Sequence, residues 1–331
     1  MRRLRIATFN LENLDDRIGA DFDDRLALLR PQIQRLRADI LCLQEINTRQ
    51  QTRHGPRLLS GLERLLDGTD YQGFHRAVSL GRNGVRPADR HNLVVLSRHP
   101  IRSQRQVWND LVPPPRHQMP GPDGEERVIE WDRPLLHLVI DLPGGVPLHV
   151  LNLHLRAPRA AYVDGQKDHG VWGSVRGWAE GFFLASVKAA GQALEARLVL
   201  EEIFDGDRDA LVAVVGDFNS DDREAPLRII RGDEEDTANG HLALRSLVPV
   251  ERALPQSQRH SVIHHGRPVM LDHILVSRPL LGWFATVEVH NETLGDEIVA
   301  PAQIVSPPDS YHAPLVAEFQ PPPRRHGGGS S

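Results

Sequence analysis

The chain has 331 residues, of which 40% are hydrophobic and 25% charged, and its formal net charge is −5. This composition supplies the apolar surface for a sizeable core, so a wholly disordered chain is excluded. The negative charge excludes attraction of polyanions by a bulk positive field. No apolar run approaches the roughly 18 residues that a membrane span needs, and the basic start lacks a signal-peptide apolar region. The single cysteine, Cys42, has no internal disulfide partner, so we expect a cytoplasmic protein.

Apolar segments separated by turn residues predict nine β-strands, and longer segments with a helical period predict three α-helices. The predicted strands cover residues 4–9, 40–44, 93–97, 135–141, 148–155, 211–216, 270–276, 283–289 and 314–319. The predicted helices cover residues 23–38, 58–66 and 178–204, and Pro31 kinks the first of them or starts a second helix there.

Strands and helices alternate only loosely along the chain. This order favours an α/β (α+β) fold of two packed sheets with helices outside over a regular doubly wound sheet. No shift in composition marks a second domain, so we expect one domain over residues 1–320. Residues 109–124 are rich in Pro and Gly and predict a surface loop, whereas the tail over residues 321–331, PPPRRHGGGSS, is predicted to be disordered.

Polar side chains follow four of the predicted strands at the point where each strand ends. Asn10, Glu45 and His154 end three of them, and Asp217 and Asn219 follow a fourth. Polar groups at the ends of buried strands are costly unless they have partners, and such strand ends are where sites lie on rigid scaffolds.

The last strands of the chain show the reverse order, with the polar residue at the start. Asp272 begins DHILV, and His312 begins HAPLVAEF. If these strands run antiparallel to the others, their starts lie beside the other strands' ends. All of these side chains would then line one edge of the sandwich.

The residue types at this edge indicate a reaction class. Asn10 and Glu45 offer hard oxygen ligands, which suit Mg²⁺, Mn²⁺ or Ca²⁺ rather than zinc. His154 and His312 can move protons near neutral pH, and Asp272 can hold one imidazole in the required tautomer. No serine lies in a nucleophile elbow, so water is the expected nucleophile. Each residue alone also fits a turn, a cap or a core role, but together they favour hydrolysis of a phosphate ester.

Seven segments of the chain, in this order, resemble the endonuclease/exonuclease/phosphatase superfamily, which includes pancreatic-type deoxyribonucleases, abasic-site endonucleases, neutral sphingomyelinases and inositol polyphosphate phosphatases. They cover about residues 4–319 and read RIATFNLEN, DILCLQEIN, NLVVLSRHPI, LHVLNLHLRA, VAVVGDFNSD, LDHILVS and HAPLVAEF. The resemblance implies a four-layer α/β/β/α sandwich of two mixed β-sheets, dependence on Mg²⁺ (or Mn²⁺), and phosphoester hydrolysis.

The resemblance also implies roles for single residues. Asn10 and Glu45 match the family's metal ligands. His154 matches the imidazole of the deoxyribonuclease and sphingomyelinase branches, where the abasic-site branch has a tyrosine, so the chain is closer to the former two. Asp217 and Asn219 match the pair that positions the nucleophile and supports the transition state.

The resemblance extends to the closing strands and to one arginine. Asp272 matches the acid that orients the last histidine, here His312. Arg133, in WDRPLLHLVI, resembles a phosphate-contacting arginine that precedes a strand.

One departure from the family pattern lies just before the final histidine. The family has Asp at this position, whereas the present chain has Tyr311, with Asp309 two residues upstream. Tyrosine cannot replace a carboxylate beside a metal. Either Asp309 takes over this position, or the chain has a weakened metal site, an altered specificity or no catalytic activity.

An aromatic and basic segment follows His154. Such side chains can stack on bases and hold phosphates, or the aromatic face of a helix can dock on the sheet. We expect Trp178, Phe182 and Phe183 to dock on the sheet, and Arg156 and Lys167 to contact substrate. The aromatic side chains are those of Tyr162, Trp172, Trp178, Phe182 and Phe183.

We therefore predict a Mg²⁺-dependent phosphodiesterase or nuclease that acts through attack of water. Its partner is a phosphoester substrate, with nucleic acid among the candidates. The alternatives are a phosphomonoesterase, a phospholipase-like hydrolase, or a non-catalytic relative in which Tyr311 has replaced the usual Asp.

Overall fold

The computed structural model describes residues 3–16, 22–50, 52, 55–119, 124–297 and 309–322. Within these ranges, twelve strands form two large sheets, and shorter hairpins and helices lie around them. The strands of the two sheets are β1 (Leu4–Leu14), β2 (Ile40–Ile46), β3 (His75–Val78), β4 (Asn92–Ser97), β5 (Ile101–Val107), β6 (Leu135–Leu142), β7 (Val146–His154), β8 (Leu211–Asp217), β9 (Val248–Pro249), β10 (Asp272–Val276), β11 (Phe284–Val289) and β12 (Leu315–Phe319). The α-helices are α1 (Phe22–Leu36), α2 (Ser60–Leu66), α3 (Val175–Gly206), α4 (Ala225–Arg231), α5 (Glu234–Thr237) and α6 (Arg278–Leu281).

The two sheets have the same pattern of strand directions. The first has the order β11-β12-β1-β2-β4-β3, and the second has the order β9-β10-β8-β7-β6-β5. In each sheet the central pair, β1 with β2 and β7 with β8, is parallel, and the remaining pairs are antiparallel. Each sheet is therefore mixed, and the carboxyl ends of each central pair meet at one edge.

Apolar side chains divide the molecule into four layers. Strand residues of alternating parity point to opposite faces, so Ile6 packs between the sheets while Ala7 packs against the helices on the outer face of the first sheet. In α1 the buried residues Leu26, Leu29 and Ile33 recur at helical spacing and cover that face. Helix α3 covers the outer face of the second sheet. The predicted α/β/β/α sandwich is confirmed.

Of the twelve strands in the two sheets, the strand prediction missed three, β3, β5 and the two-residue strand β9. Strand β5 reads IRSQRQV and is exposed over most of its length. It lies at the edge of the second sheet, where polar side chains face water. An edge strand of this kind lacks the apolar period on which the prediction depends.

Several element boundaries differ from the predicted ones. Helix α3 starts at Val175, three residues earlier than predicted, because the Ser174 hydroxyl caps it by accepting from the Gly177 amide. Pro31 lies within the continuous helix α1. The predicted loop 109–124 contains a short strand, Arg116–Gln118, which pairs with Glu126–Val128.

Three further predictions concern the C-terminal tail, membrane-spanning segments and Cys42. Residues 323–331 of the predicted disordered tail lie outside the described residues. None of the helices in the described ranges combines the length and the hydrophobicity required to cross a membrane. Cys42 is a free thiol buried between the sheets.

Candidate active site

Asn10 and Asp217 connect the two sheets at the edge where the parallel pairs end. Asn10 lies near the end of β1 and Asp217 ends β8, and both are buried. The Asn10 Nδ2 donates to Asp217 Oδ2 over 2.9 Å, while Asn10 Oδ1 accepts from the Glu12 amide. The carboxyl ends of the two sheets therefore converge on one polar cluster.

The backbone of Glu45, near the end of β2, and that of Asn219, just after β8, adopt the left-handed conformation. Their φ angles are 61° and 48°, a conformation that is uncommon for residues with a side chain and is concentrated at functional sites. The Asn219 amide donates to Asp217 Oδ1 over 2.8 Å, and its Nδ2 donates to the Leu155 carbonyl. The Asn13 amide donates to Glu45 Oε2 over 3.0 Å.

Asp272 and His312 form a hydrogen-bonded pair beside Asp217. Strand β10 runs antiparallel to β8 with Asp272 opposite Asp217, as the reversed order of the closing strands predicts. His312 Nδ1 lies 2.8 Å from Asp272 Oδ2. The Ser310 hydroxyl fixes this loop on β1 by donating to the Asn10 carbonyl.

His154 is buried on the opposite side of Asp217. Its Nε2 lies 3.3 Å from Asp217 Oδ2 and 3.8 Å from Glu45 Oε1. The structure therefore brings all seven side chains that the sequence predicted at this edge into one cluster. They are Asn10, Glu45, His154, Asp217, Asn219, Asp272 and His312.

The pKa values of His154 and His312 are shifted in opposite directions. Burial, together with the nearby positive charge of Arg133, lowers the pKa of His154 well below its ordinary value. Burial alone would also lower the pKa of His312, but the carboxylates of Asp272 and Asp217 raise it well above that value. Near neutral pH, His154 is therefore neutral and His312 carries the positive charge.

Asp217 itself has an unusual proton affinity. Burial raises the pKa of Asp217 to about 7, against the opposing effect of the positive His312. A carboxylate whose pKa lies near neutral pH is suited to accept a proton during a reaction.

Glu12 is a carboxylate of this cluster that the sequence analysis missed. Its Oε2 accepts from the Tyr311 amide over 2.9 Å, so it lies beside the position where the family has its Asp. Burial raises the pKa of Glu12, while the positive His312 opposes this shift. A φ of 42° turns Glu12 out of the strand alternation. The signal in the sequence was an acid two residues after Asn10, which the strand pattern did not distinguish from an ordinary surface residue.

Asp309 points away from this cluster. Its Oδ2 accepts from Gln32 Nε2 over 3.0 Å, and its carbonyl accepts from Arg25, so both of its acceptors face α1. Of the two acids near Tyr311, Glu12 is the one whose carboxylate reaches the Tyr311 backbone.

Arg133 and His91 lie behind Glu45 and His154. Arg133 Nη1 donates to the Leu155 carbonyl over 3.2 Å, and its Nη2 is 3.5 Å from His91 Nδ1. His91 Nε2 bonds to Asn13 Oδ1 and is 3.8 Å from Glu45 Oε2. The sequence analysis named Arg133 but missed His91, which directly precedes the strand β4.

Arg156 and Lys167 have other partners. Arg156 Nη1 lies 3.2 Å from Asp132 Oδ2, and its Nη2 donates to the Arg159 carbonyl. Lys167 Nζ lies 5.0 Å from the centroid of the Trp172 ring. Their contact with substrate stays a prediction.

The aromatic side chains at the start of α3 do not dock on the sheet, and that expectation is wrong. Trp178 and Phe183 are 45% and 52% exposed, and the Trp178 ring stacks on Phe182. Trp172 packs inward against Gly181 instead. The Trp172 ring therefore occupies the inner side of the helix at Gly181, and Trp178, Phe182 and Phe183 lie on its outer side.

The donor atoms of the cluster fit a hard divalent cation. Carboxylate oxygens of Asp217 and Asp272 lie within 4.8 Å of each other and of a ring nitrogen of His312. Among the described residues, Asp272 Oδ1 is buried without a hydrogen-bond partner. Glu45 and Glu12 add further carboxylate oxygens to the same side of the sandwich. Oxygen-rich sets of this kind suit Mg²⁺ or Mn²⁺.

Solved structures of three proteins resemble this chain over almost its whole length. They are truncated TDP2 from Caenorhabditis elegans (14% identity, TM-score 0.57, 96% of this chain and 98% of that chain), an AP endonuclease from Archaeoglobus fulgidus (17%, 0.52, 96% and 99%), and a 3′ phosphatase from Neisseria bound to a product DNA hairpin (19%, 0.53, 96% and 99%). At these identities the likeness shows a common fold.

Sequence comparison identifies the family directly. No protein of curated function matches the chain at a significant level. The model of the Endonuclease/Exonuclease/phosphatase family, in contrast, matches residues 7–293. This match extends from the first strand to the loop before the final histidine, and the chain therefore belongs to the endonuclease/exonuclease/phosphatase family, whose members hydrolyse phosphoesters with divalent metals.

Proposed function

We propose that this protein is a Mg²⁺- or Mn²⁺-dependent phosphodiesterase that cleaves its substrate by attack of water. The observation that carries the proposal is the hydrogen-bonded Asp272–His312 pair next to Asp217. In this cluster the positively charged His312 is a proton donor, and Asp217, with a pKa of about 7, is a proton acceptor.

The metal would be held by oxygen atoms on the β1–β2 side of the cluster. We assign Asn10 and Glu45 to this role, with Glu12 as a further carboxylate. When bound, the cation supplies neutralisation of the phosphate charge. The left-handed backbone at Glu45 and at Glu12 directs their side chains to this side.

We assign the proton transfers to Asp217 and His312. Asp217 orients water and accepts its proton, for which a pKa of about 7 is suitable. His312 binds the phosphate and shares the proton transfer, with Asp272 keeping its ring in position. His154, being neutral, supports the crowded phosphorus as a hydrogen-bonding group together with Asn219. Arg133 holds the backbone after His154 and adds positive charge toward the phosphate.

Nucleic acid is the substrate class that we propose first. Two proteins of the same fold bear on it: an AP endonuclease, and a 3′ phosphatase bound to a DNA product. The exposed Trp178–Phe182 stack lies on the segment that follows His154 and offers a surface for bases. Cys42, the single cysteine, supports a cytoplasmic location.

Turnover of three substrates in parallel tests the proposal: bis-p-nitrophenyl phosphate, p-nitrophenyl phosphate and DNA, each with Mg²⁺, Mn²⁺ or EDTA. We expect cleavage of the diester and of DNA with metal and none in EDTA. His312→Ala and Asp272→Asn should each lower kcat at least about a hundredfold, because both remove the proton donor from its position. Selective cleavage of the monoester would favour a phosphomonoesterase, and full activity in EDTA would contradict the proposal.

A non-catalytic role was the alternative that Tyr311 raised. The carboxylate of Glu12 at the Tyr311 amide weakens that alternative, because the cluster keeps an acid at this side despite the substitution.

A further inference from the structure

A second histidine–carboxylate pair lies buried on the other face of β10. His273 directly follows Asp272, so its side chain points to the opposite side of the sheet. His273 Nδ1 lies 2.5 Å from Glu251 Oε1. The side chains are 1% and 2% exposed. Among the described residues, neither side chain is hydrogen-bonded to a side chain of the candidate active site.

This pair is attached to the turn that carries Asp217 and Asn219. His273 Nε2 donates to the Ser220 carbonyl over 2.9 Å, and the Phe218 ring contacts the His273 ring edge-on at 5.1 Å. The Phe218 amide also donates to the Leu271 carbonyl. The turn is therefore held on both sides of Asn219.

The chemistry of the two acceptors defines the charge of His273. A carbonyl oxygen can only accept a hydrogen bond, so Nε2 carries a proton. The Glu251 carboxylate also accepts, so Nδ1 carries the second proton. Burial alone would lower the pKa of His273, but Glu251 raises it above the ordinary value, in agreement with an imidazolium.

Such a buried ion pair adds little net stability compared with apolar side chains of the same volume. Its directed hydrogen bonds, in contrast, fix one geometry. The atom that it fixes here, the Ser220 carbonyl, directly follows Asn219, whose φ of 48° lies in the sparsely populated left-handed region. That conformation is the one in which the Asn219 amide donates to Asp217 Oδ1.

We propose that Glu251 and His273 are positioning residues, which hold the turn Asp217–Ser220 so that Asn219 and Asp217 keep their reactive geometry. The proposal rests on the proposed function, because it assigns the pair to the turn that carries out the hydrolysis. His273 itself does not reach the substrate, since both of its nitrogens are engaged and its side chain is buried.

A double-mutant cycle between His273 and Asn219 tests this role. His273→Ala should lower kcat at least about tenfold while KM stays within about twofold, because geometry at the reacting atoms is lost and substrate contacts are kept. In the Asn219→Ala background the same change should lower kcat by a smaller factor than in the wild type, since one of the two groups that it positions is already absent. His273→Gln, whose amide can still donate to the Ser220 carbonyl, should recover part of the loss.

Glu318→Gln is the matched control. It breaks the ion pair of Arg5 and Glu318, which lies toward the opposite end of the first sheet, with 2.9 Å between the charged atoms. This variant should lose thermal stability without loss of kcat. If His273→Ala behaves in the same way, or if its effect is unchanged in the Asn219→Ala background, the pair is merely structural and the proposal is wrong.

Two further measurements test the proposal if His273→Ala does not fold or if the wild-type protein has no activity. If His273→Ala does not fold, Glu251→Gln, which keeps the volume of the side chain, replaces it in the same cycle. Hydrogen exchange of the backbone amides in residues 217–221 needs no turnover. It should be faster in the His273 or Glu251 variant than in Glu318→Gln. A wild-type protein without activity would contradict the proposed function, whereas unchanged exchange would contradict the positioning role.

Discussion

The carboxylates of the candidate active site differ in what holds them. The Glu12 carboxylate accepts a hydrogen bond from the Tyr311 backbone amide, and the Glu45 carboxylate accepts one from the Asn13 backbone amide. Asp309, in contrast, is held by Gln32 on α1. The acid that lies beside Tyr311, Glu12, is therefore remote from it in sequence and adjacent to it in space.

Glu12→Gln and Asp309→Asn separate the two candidate acids. We expect Glu12→Gln to raise the Mg²⁺ concentration for half-maximal binding at least about tenfold, because one negative charge beside the cation is lost. Asp309→Asn should change it less than about twofold. Isothermal titration with Mg²⁺ measures both values, and the reverse order would show that Asp309 turns into the site.

His137 makes the stability of the protein depend on pH. Burial, with the adjacent His149 and Arg105, lowers the pKa of His137 to about 4, and the two imidazoles are 3.0 Å apart. The folded state therefore binds fewer protons than the unfolded state, where the pKa of histidine is about 6.5. The stabilisation is complete above about pH 6.5 and is lost as the pH falls toward 4.

The prediction for His137 compares urea unfolding at pH 7.5 and pH 5. The wild-type protein should lose about 1–2 kcal/mol more than His137→Phe over this interval, since the variant has no proton to bind at this position. An equal loss in both proteins would mean that other groups cause the acid sensitivity.

At the scale of elements, helix α3 combines close packing on one side with exposed aromatic residues on the other. Its buried face is rich in small residues such as Ala189, Ala193 and Ala196, which let the helix approach the second sheet. Gly191 lies where the Trp131 ring crosses the helix, and a Cβ there would overlap that ring. The stacked pair Trp178–Phe182 stands outside this contact and is open to a partner.

Gly191→Ala should destabilise the protein although alanine favours helices. Overpacking against the buried Trp131 ring is expected to cost about 1–3 kcal/mol, more than the gain in helix propensity of about 1 kcal/mol. Gly206→Ala is the matched control, because a Cβ at Gly206 meets nothing within 4 Å. Denaturant unfolding measures both variants, and equal stability of the two would show that Trp131 moves aside without cost.

At the scale of the whole molecule, two sheets with the same strand pattern bring their parallel pairs to one edge. The Asn10–Asp217 hydrogen bond crosses from one sheet to the other there, and Gln44 and Asn152 make a second bridge of 2.8 Å in the interior behind it. Carboxylates from several elements meet at this edge beside the positive charges of Arg133 and His312, and only the folded chain brings their oxygen atoms together around one position for a cation.

Mg²⁺ should therefore stabilise the folded protein. Binding to the folded state alone raises the free energy of unfolding by RT ln(1 + [L]/Kd), so we expect about 10 mM Mg²⁺ to raise Tm by at least about 2 °C. Glu45→Gln should remove most of this shift, whereas Glu318→Gln, toward the other end of the first sheet, should keep it. Differential scanning fluorimetry in EDTA and in Mg²⁺ measures the shift, and a full shift in Glu45→Gln would exclude Glu45 from the metal site.

The layered fold and seven side chains of the candidate site could be predicted from the residues alone, because strands such as β1 and β8 have continuous apolar runs with polar residues at their ends. Parity along a strand is a local property, so periodicity was sufficient for it, whereas the antiparallel direction of the closing strands entered as a condition that the strand pairing of the structure meets. The position of the Glu12 carboxylate and the direction of Asp309 could not be predicted, since both depend on contacts between the first strand or helix and a loop about 300 residues away.

The same distinction explains the errors. The polar strand β5 exists because β6 offers it an edge, and no period in IRSQRQV records that edge. The aromatic residues at the start of α3 have a helical spacing that fits either a buried or an exposed face. Which face is covered depends on where Trp172 and the sheet lie, and that is settled by packing between distant segments rather than by the spacing itself.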